Sequence, residues 1–206
     1  MRALTRRFLP ILAVAGLLAA CGQGGAGGGG SADAAGEMFL GKADAPVTVI
    51  EYASITCPHC AAFNEEVFPA FKAKYIDSGQ VKYVFREFLT PPVPVAVAGF
   101  LIARCAGPDK YFGVIDALFH SQNEMYQTEP RAVLFRVGNG AGLTDEQITA
   151  CVSDTDAVAA LEARVQRAIE VDKINATPTF IVNGKKLEGE QTMAQFDAAI
   201  QPLLKK

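Results

Sequence analysis

Val47-Thr48-Val49-Ile50-Glu51-Tyr52-Ala53-Ser54-Ile55-Thr56-Cys57-Pro58-His59-Cys60 decides how the rest of the chain is read. Residues 46–52 are a short run rich in β-branched side chains, the composition of a strand. Residues 53–56 bend the chain, and from Pro58 the pattern turns helical, with Phe63, Val67, Phe71 and Tyr75 recurring every fourth position. A proline just inside a helix start is well placed, because its missing N–H would have had no intrahelical partner. Two cysteines therefore stand at the head of a helix that leaves a strand. Ser78-Gly79 ends that helix, and residues 81–88 read as a second strand.

Further along, the pattern becomes helical. Pro91, Pro92 and Pro94 break the chain before an apolar helix over 95–105, and helices over 109–121 and 131–137 follow. Asn139-Gly140 reads as a loop, since its flanks are not strand-like. Thr144-Asp145-Glu146-Gln147 carries a capping-box pattern and opens a helix that reaches Cys151; a longer amphipathic helix covers 156–174. Residues 179–182 and 185–187 then flank Asn183-Gly184, a strong hairpin signal, and 192–204 closes with a helix whose apolar side includes Phe196, Ile200 and Leu203. The order is βαβ, a helical block, then ββα. This is an α/β architecture that resembles a thioredoxin-like fold with an inserted α-helical domain, the frame being residues 39–90 and 175–206 and the insertion 91–174.

The N-terminal part does not belong to that frame. Arg2, Arg6 and Arg7 precede an apolar run over 8–20, interrupted by Pro10 and too short to span a bilayer as a mature helix. Residues 1–20 have the layout of an export signal peptide, and Leu18-Ala19-Ala20-Cys21 resembles the lipobox of bacterial lipoproteins, with lipidation expected on Cys21. An ordinary secretory signal with a chance cysteine is the alternative. Residues 21–38 would be a Gly-rich tether: from Gly22 to Gly36 no large apolar side chain is available to offset the entropy of ordering. A phosphate-binding loop is excluded, because no strand precedes these glycines and no Gly-Lys-Ser/Thr follows. With 206 residues, half of them hydrophobic, and a net charge of −3, the chain has ample core material and nothing that favours nucleic acid as a partner.

Cys57-Pro58-His59-Cys60 has three readings: a redox pair, a structural disulfide and half of a zinc site. Zinc would need two more suitably spaced ligands; Cys105 and Cys151 are isolated, and His120 has no second ligand nearby, so no metal is expected. Position after a strand and at a helix start favours redox chemistry. A free thiol titrates near pH ~8.5 and is mostly protonated at neutral pH, whereas the unpaired N–H groups and dipole of a helix N-terminus favour the thiolate. Cys57 heads the helix and is expected to exchange with substrates. Cys60, one turn inward, would resolve. His59 can add a donor or positive charge toward Cys57, or simply face solvent.

The motif and its surroundings resemble DsbA-like thiol–disulfide oxidoreductases: Glu51-Tyr52-Ala53-Ser54 before it, Phe63 and Glu65-Glu66-Val67 after it, and Thr177-Pro178-Thr179-Phe180 with Val182-Asn183-Gly184 near the end. The resemblance covers about residues 41–204. It implies that Pro178 follows a cis peptide beside the reactive sulfur, and that Thr177 and Pro178 line the groove for an extended substrate segment. It also implies that Glu51, six residues before Cys57, lies beneath the disulfide and assists proton transfer at the resolving thiol; an exposed edge glutamate is the alternative. Asn64 stands where some relatives carry an acid, which puts a second acidic relay in doubt. Two leftover cysteines in an exported protein invite pairing, and the family often has a second disulfide in the insertion, so Cys105–Cys151 is expected as a structural disulfide, with buried free thiols the alternative. Asn175-Ala176-Thr177 formally matches a glycosylation sequon and carries little weight beside bacterial export features.

The implied activity is disulfide introduction into exported proteins with free thiols, outside the cytoplasm, with no cofactor and with re-oxidation by a membrane oxidase of DsbB or vitamin-K-epoxide-reductase (VKOR) type. A disulfide reductase or isomerase would use the same Cys57/Cys60 pair. A non-catalytic binding module is disfavoured by the intact pair.

Overall fold

The computed structural model describes residues 30–32 and 36–205. The expected signal peptide, Cys21 and most of the tether lie outside the described residues. The elements are β1 (Ser31–Ala32), β2 (Met38–Leu40), β3 (Val47–Ala53), α1 (Pro58–Glu66), α2 (Phe68–Phe71), β4 (Val81–Glu87), α3 (Val93–Cys105), α4 (Pro108–His120), α5 (Gln122–Gln127), α6 (Pro130–Gly140), α7 (Asp145–Val152), α8 (Thr155–Glu170), β5 (Thr179–Val182), β6 (Lys185–Glu188) and α9 (Met193–Leu204). The sheet runs β1-β2-β4-β3-β5-β6, with β3 parallel to β4 and every other pairing antiparallel. A parallel β3–β4 pair needs a crossover, and the helical stretch from Pro58 supplies it. No helix among the described residues is long and apolar enough to cross a membrane.

Side-chain alternation along the two central strands gives the sheet its faces. On one face Val47, Val49, Val81, Tyr83 and Phe85 are buried, and on it Phe180, Phe63, Phe71 and Phe196 interlock, with ring centroids 4.7 Å apart for Phe63–Phe180 and for Phe71–Phe196. The opposite face gathers Ile50, Tyr52 and Ile181 under Ala168 of α8 and Ile174. Because β3 is buried on both faces, the segment that leaves its end is held at the middle of the molecule. Asn183 and Gly184 both have positive φ, 43° and 88°, as the two-residue β5–β6 turn requires.

Several local expectations are corrected. Ser31–Ala32 pairs with β2 and Met38 is buried, so part of the stretch read as tether joins the sheet. The first helix breaks at Val67, just before Pro69, and continues through α2 into a π-helical segment, Lys72–Ile76. Pro94 lies in the first turn of α3, where a missing N–H costs nothing, and does not precede the helix. Asn139 and Gly140 belong to α6: Gly138 lets Ile148 approach so closely that a Cβ would meet it at 2.7 Å, and the chain turns later, at Gly142 with φ 90°. Residues 171–174 lie beyond α8, Lys173 has φ 56°, and Ile174 drops into the core. Helix α5 had no signal of its own, being short and polar. Cys105 and Cys151 form a disulfide with Cα atoms 6.3 Å apart, closing a loop across 46 positions; the chain-entropy model puts such a closure at about 4 kcal/mol.

Candidate functional site

Cys57 is the N-cap of α1, with extended backbone (φ −93°, ψ 118°) and Pro58 at the first helical position. Its carbonyl accepts from the N–H groups of Cys60 and Ala61, both at 3.1 Å, so the helix begins at the sulfur-bearing residue. The strand-to-helix bend is polar and tightly held. The Ser54 and Thr56 hydroxyls lie 3.0 Å apart, and Thr56 Oγ1 donates to the Thr90 carbonyl at 2.8 Å. From α5, Gln122 Nε2 donates to the carbonyls of Ile55 at 2.9 Å and Cys57 at 3.1 Å, while the Tyr126 hydroxyl donates to the Thr56 carbonyl. Three consecutive carbonyls of a buried bend thus find donors on a helix of the insertion, as buried backbone acceptors require.

The peptide between Thr177 and Pro178 is cis, and it brings the Thr177 carbonyl within 3.4 Å of Cys57 Sγ. Neutral Cys57 can donate to that oxygen. Once ionised, the sulfur is an acceptor, and its donors are the Cys60 thiol foremost, then the Thr177 side chain and the backbone N–H groups of Cys60 and His59. The Cys60 thiol is the largest influence; burial opposes it, and the sum lowers the Cys57 thiol to about 5. Cys60 goes the other way. It has no exposed surface, and burial first, then Cys57 and Glu51, raise it well above an ordinary thiol. Cys57 keeps only 6% of its surface exposed, so it is less open than a helix-end position alone suggests, yet of the two cysteines it is the one with any exposed surface.

Glu51 lies inside, 2% exposed, and is no edge residue. Burial raises its carboxyl to about 8, with Tyr83 opposing and Cys57 adding. The Tyr83 hydroxyl donates to Oε2, whereas Oε1, like Oδ1 of Asn64, is buried without a hydrogen-bond partner among the described residues. Of the two readings of the His59 side chain, the structure has the solvent-facing one. Its imidazole is 74% exposed and meets Glu190 at 2.5 Å, so what it offers the Cys57 sulfur is its backbone N–H. Among the described residues, no group of three or more His, Cys, Asp or Glu could hold a metal ion. The structure therefore brings together Glu51, Cys57, Pro58, His59, Cys60, Thr177 and Pro178.

Comparison with known proteins assigns a family to the chain that carries this pair of thiols at a helix start beside a cis-proline. The family model described as thioredoxin matches residues 33–202. The chain belongs to the thioredoxin family. It is a DsbA-like member: the crystal structure of Wolbachia pipientis α-DsbA1 superposes with a TM-score of 0.77 at 28% identity, covering 84% of this chain and 92% of that one. Oxidised BdbD from Bacillus subtilis follows at 0.74 and 26%, covering 86% and 98%. A Rickettsia bellii protein provisionally named as a protein-disulfide oxidoreductase is 32% identical over 170 residues, 80% of this chain and 65% of that protein. The chain spans about half to two thirds of the length of the Rickettsia relatives it matches.

Reading the sequence of this DsbA-like chain missed Tyr83, Gln122 and Tyr126. Tyr83 had a usable signal: Val81, Tyr83, Phe85 and Glu87 alternate along β4, and parallel pairing with Val49 opposite Tyr83 puts the ring on the face that carries Glu51. Gln122 and Tyr126 had none, since their task depends on where α5 docks.

Proposed function

We propose that this protein is a thiol–disulfide oxidoreductase that introduces disulfides into proteins outside the cytoplasm. The observation that carries the reading is the placement of the two thiols, Cys57 at the head of α1 beside the Thr177 carbonyl and Cys60 buried one turn inward, which lowers Cys57 to about 5 and raises Cys60. Whatever holds Cys57 as a thiolate stabilises the reduced protein, and so makes its disulfide a stronger oxidant. In the forward cycle a substrate thiolate attacks Cys57 Sγ, the Cys57–Cys60 bond breaks, and Cys60 leaves with the electron pair. Cys60 takes a proton, for which the Glu51 carboxyl, raised to about 8 and so mainly neutral at pH 7, is the buried source. A second substrate thiolate then attacks the substrate sulfur of the mixed disulfide, expelling Cys57 as thiolate. The substrate is oxidised by two electrons and the enzyme reduced by two.

Thr177 and Pro178 would border the substrate segment, since the Thr177 carbonyl adjoins the reacting sulfur. Re-oxidation calls for a membrane oxidase of DsbB or VKOR type. Lipid on Cys21, after cleavage following Ala20, would keep the enzyme at the membrane where that partner sits. The names of the relatives support oxidoreductase chemistry of this kind.

Equilibration of the soluble domain with graded glutathione couples, followed by quantifying Cys57 and Cys60 thiols, tests the direction. The expected midpoint is more oxidising than about −180 mV, while one near about −270 mV would favour the reductase reading of the same pair.

A further inference from the structure

Glu51 has two oxygens in different circumstances, and the difference comes from Tyr83. The two residues stand on neighbouring parallel strands and on the same sheet face, one pairing step apart: Val49 lies opposite Tyr83 and Glu51 opposite Phe85. A tyrosine reaches such a diagonal neighbour. Its ring is fixed by Phe68, Phe71 and Phe112, with centroids at 4.9, 6.1 and 6.1 Å, so the hydroxyl has little freedom to swing away. It donates to Oε2. Oε1 is buried with no hydrogen-bond partner among the described residues, which is costly for an oxygen without a task.

We propose that Tyr83 is a positioning residue for proton exchange at the resolving thiol: by occupying Oε2 it leaves Oε1 as the oxygen that gives a proton to Cys60 and takes it back. This rests on the exchange reaction proposed above and assigns a part of its proton path.

The titratable groups that act on or are acted on by this carboxyl are Cys57, the N-cap of α1, Cys60 within α1, and Tyr83 from β4, with Tyr111 from α4 acting on Tyr83. The influences on Glu51 are burial, Tyr83 and Cys57, and no cation is among them. In so dry a setting a hydrogen bond from a neutral hydroxyl is the available support for the carboxylate. When the mixed disulfide is resolved, Cys60 passes its proton to Oε1, its sulfur bonds to Cys57, and the partner sulfur leaves as thiolate. Nothing else is consumed.

The test uses glutathione disulfide and the reduced protein, following by rapid mixing both mixed-disulfide formation at Cys57 and its resolution by Cys60, from pH 5 to 10. Tyr83→Phe keeps the ring and removes the donor. It should move the pH profile of the resolving step upward by about one unit and slow that step about tenfold at pH 7, as loss of a hydrogen bond to a charged group implies. The Cys57 step should keep its profile, and in a Glu51→Gln background Tyr83→Phe should add nothing. An unshifted resolving profile, or an equal slowing with and without Glu51, overturns the proposal. Should Tyr83→Phe fail to fold, 3-fluorotyrosine replaces it: the more acidic hydroxyl should lower the Glu51 titration seen by carboxyl ¹³C NMR, and no change would count against Tyr83. Failure of the exchange reading itself shows separately, as a Cys57 step with an ordinary thiol's pH dependence.

Discussion

The stability of the reduced protein, measured against that of its Cys57–Cys60 disulfide form, should climb with pH between about 5 and 9. Its surroundings lower Cys57 to about 5 in the folded chain, against about 8.5 for an ordinary thiol, so across this window the unfolded state binds a proton that the folded state does not. A lowered thiol contributes stability that is complete above the unfolded value and is lost as pH falls through the folded one. The limiting slope is about 1.4 kcal/mol per pH unit. Screening by solvent narrows the pH interval over which this slope applies, and so the total gain, without changing the slope itself. Glu51 acts oppositely: its raised carboxyl makes both redox forms less stable as pH rises from 4.5 to about 8. Taking the difference between reduced and oxidised protein removes most of that opposing slope and isolates Cys57. Urea titrations of both forms at several pH values give the quantity, and a difference that stays level from pH 5 to 9 would be incompatible with a stabilised thiolate.

Glu87→Ala should destabilise the protein by about 3–5 kcal/mol, the range for removing one partner from a buried charge pair. Glu87 ends β4 and is 2% exposed. Arg104 Nη2 donates to Oε2 at 2.9 Å, its Nε donates to Oε1, Arg164 Nε donates to Oε2 at 3.1 Å, and the Tyr111 hydroxyl donates to Oε1 at 3.0 Å. Burial works against the carboxylate, but Arg104, Arg164 and Tyr111 outweigh it and hold the group below the ordinary range. One side chain thereby joins the end of a central strand to α3, α4 and α8, the insertion to the frame. Alanine would leave two guanidinium groups and a hydroxyl without their acceptor. Denaturant unfolding at pH 7 measures the loss. Glu87→Gln should cost less, because an amide oxygen still accepts, and a loss below about 1 kcal/mol for alanine would mean the network does not clamp the two parts.

How much of this was legible beforehand depended on the range of each interaction. The strand before Cys57, the helix after it, the Asn183-Gly184 hairpin and the Thr144 and Thr192 helix starts are written in neighbouring residues, and the structure has them. Family resemblance added the cis bond before Pro178 and the Cys105–Cys151 pairing, which no local pattern dictates. What stayed hidden was contact between distant segments. Asn139-Gly140 has the local look of a turn, and only the approach of Ile148 to Gly138 explains why the helix runs through it. The His59 imidazole, placed toward the sulfur by proximity in sequence, is drawn to Glu190, 131 positions away. Gln122 steadies the bend before Cys57 from a helix with no hydrophobic stripe to announce it.

The most direct measurement is the rate at which iodoacetamide alkylates Cys57 in the reduced protein, from pH 3 to 10, with thiolate absorbance read in parallel. The account predicts a single titration of Cys57 centred at about 5, with Cys60 unreactive across it. A midpoint near that of a free thiol, about 8.5, would contradict it.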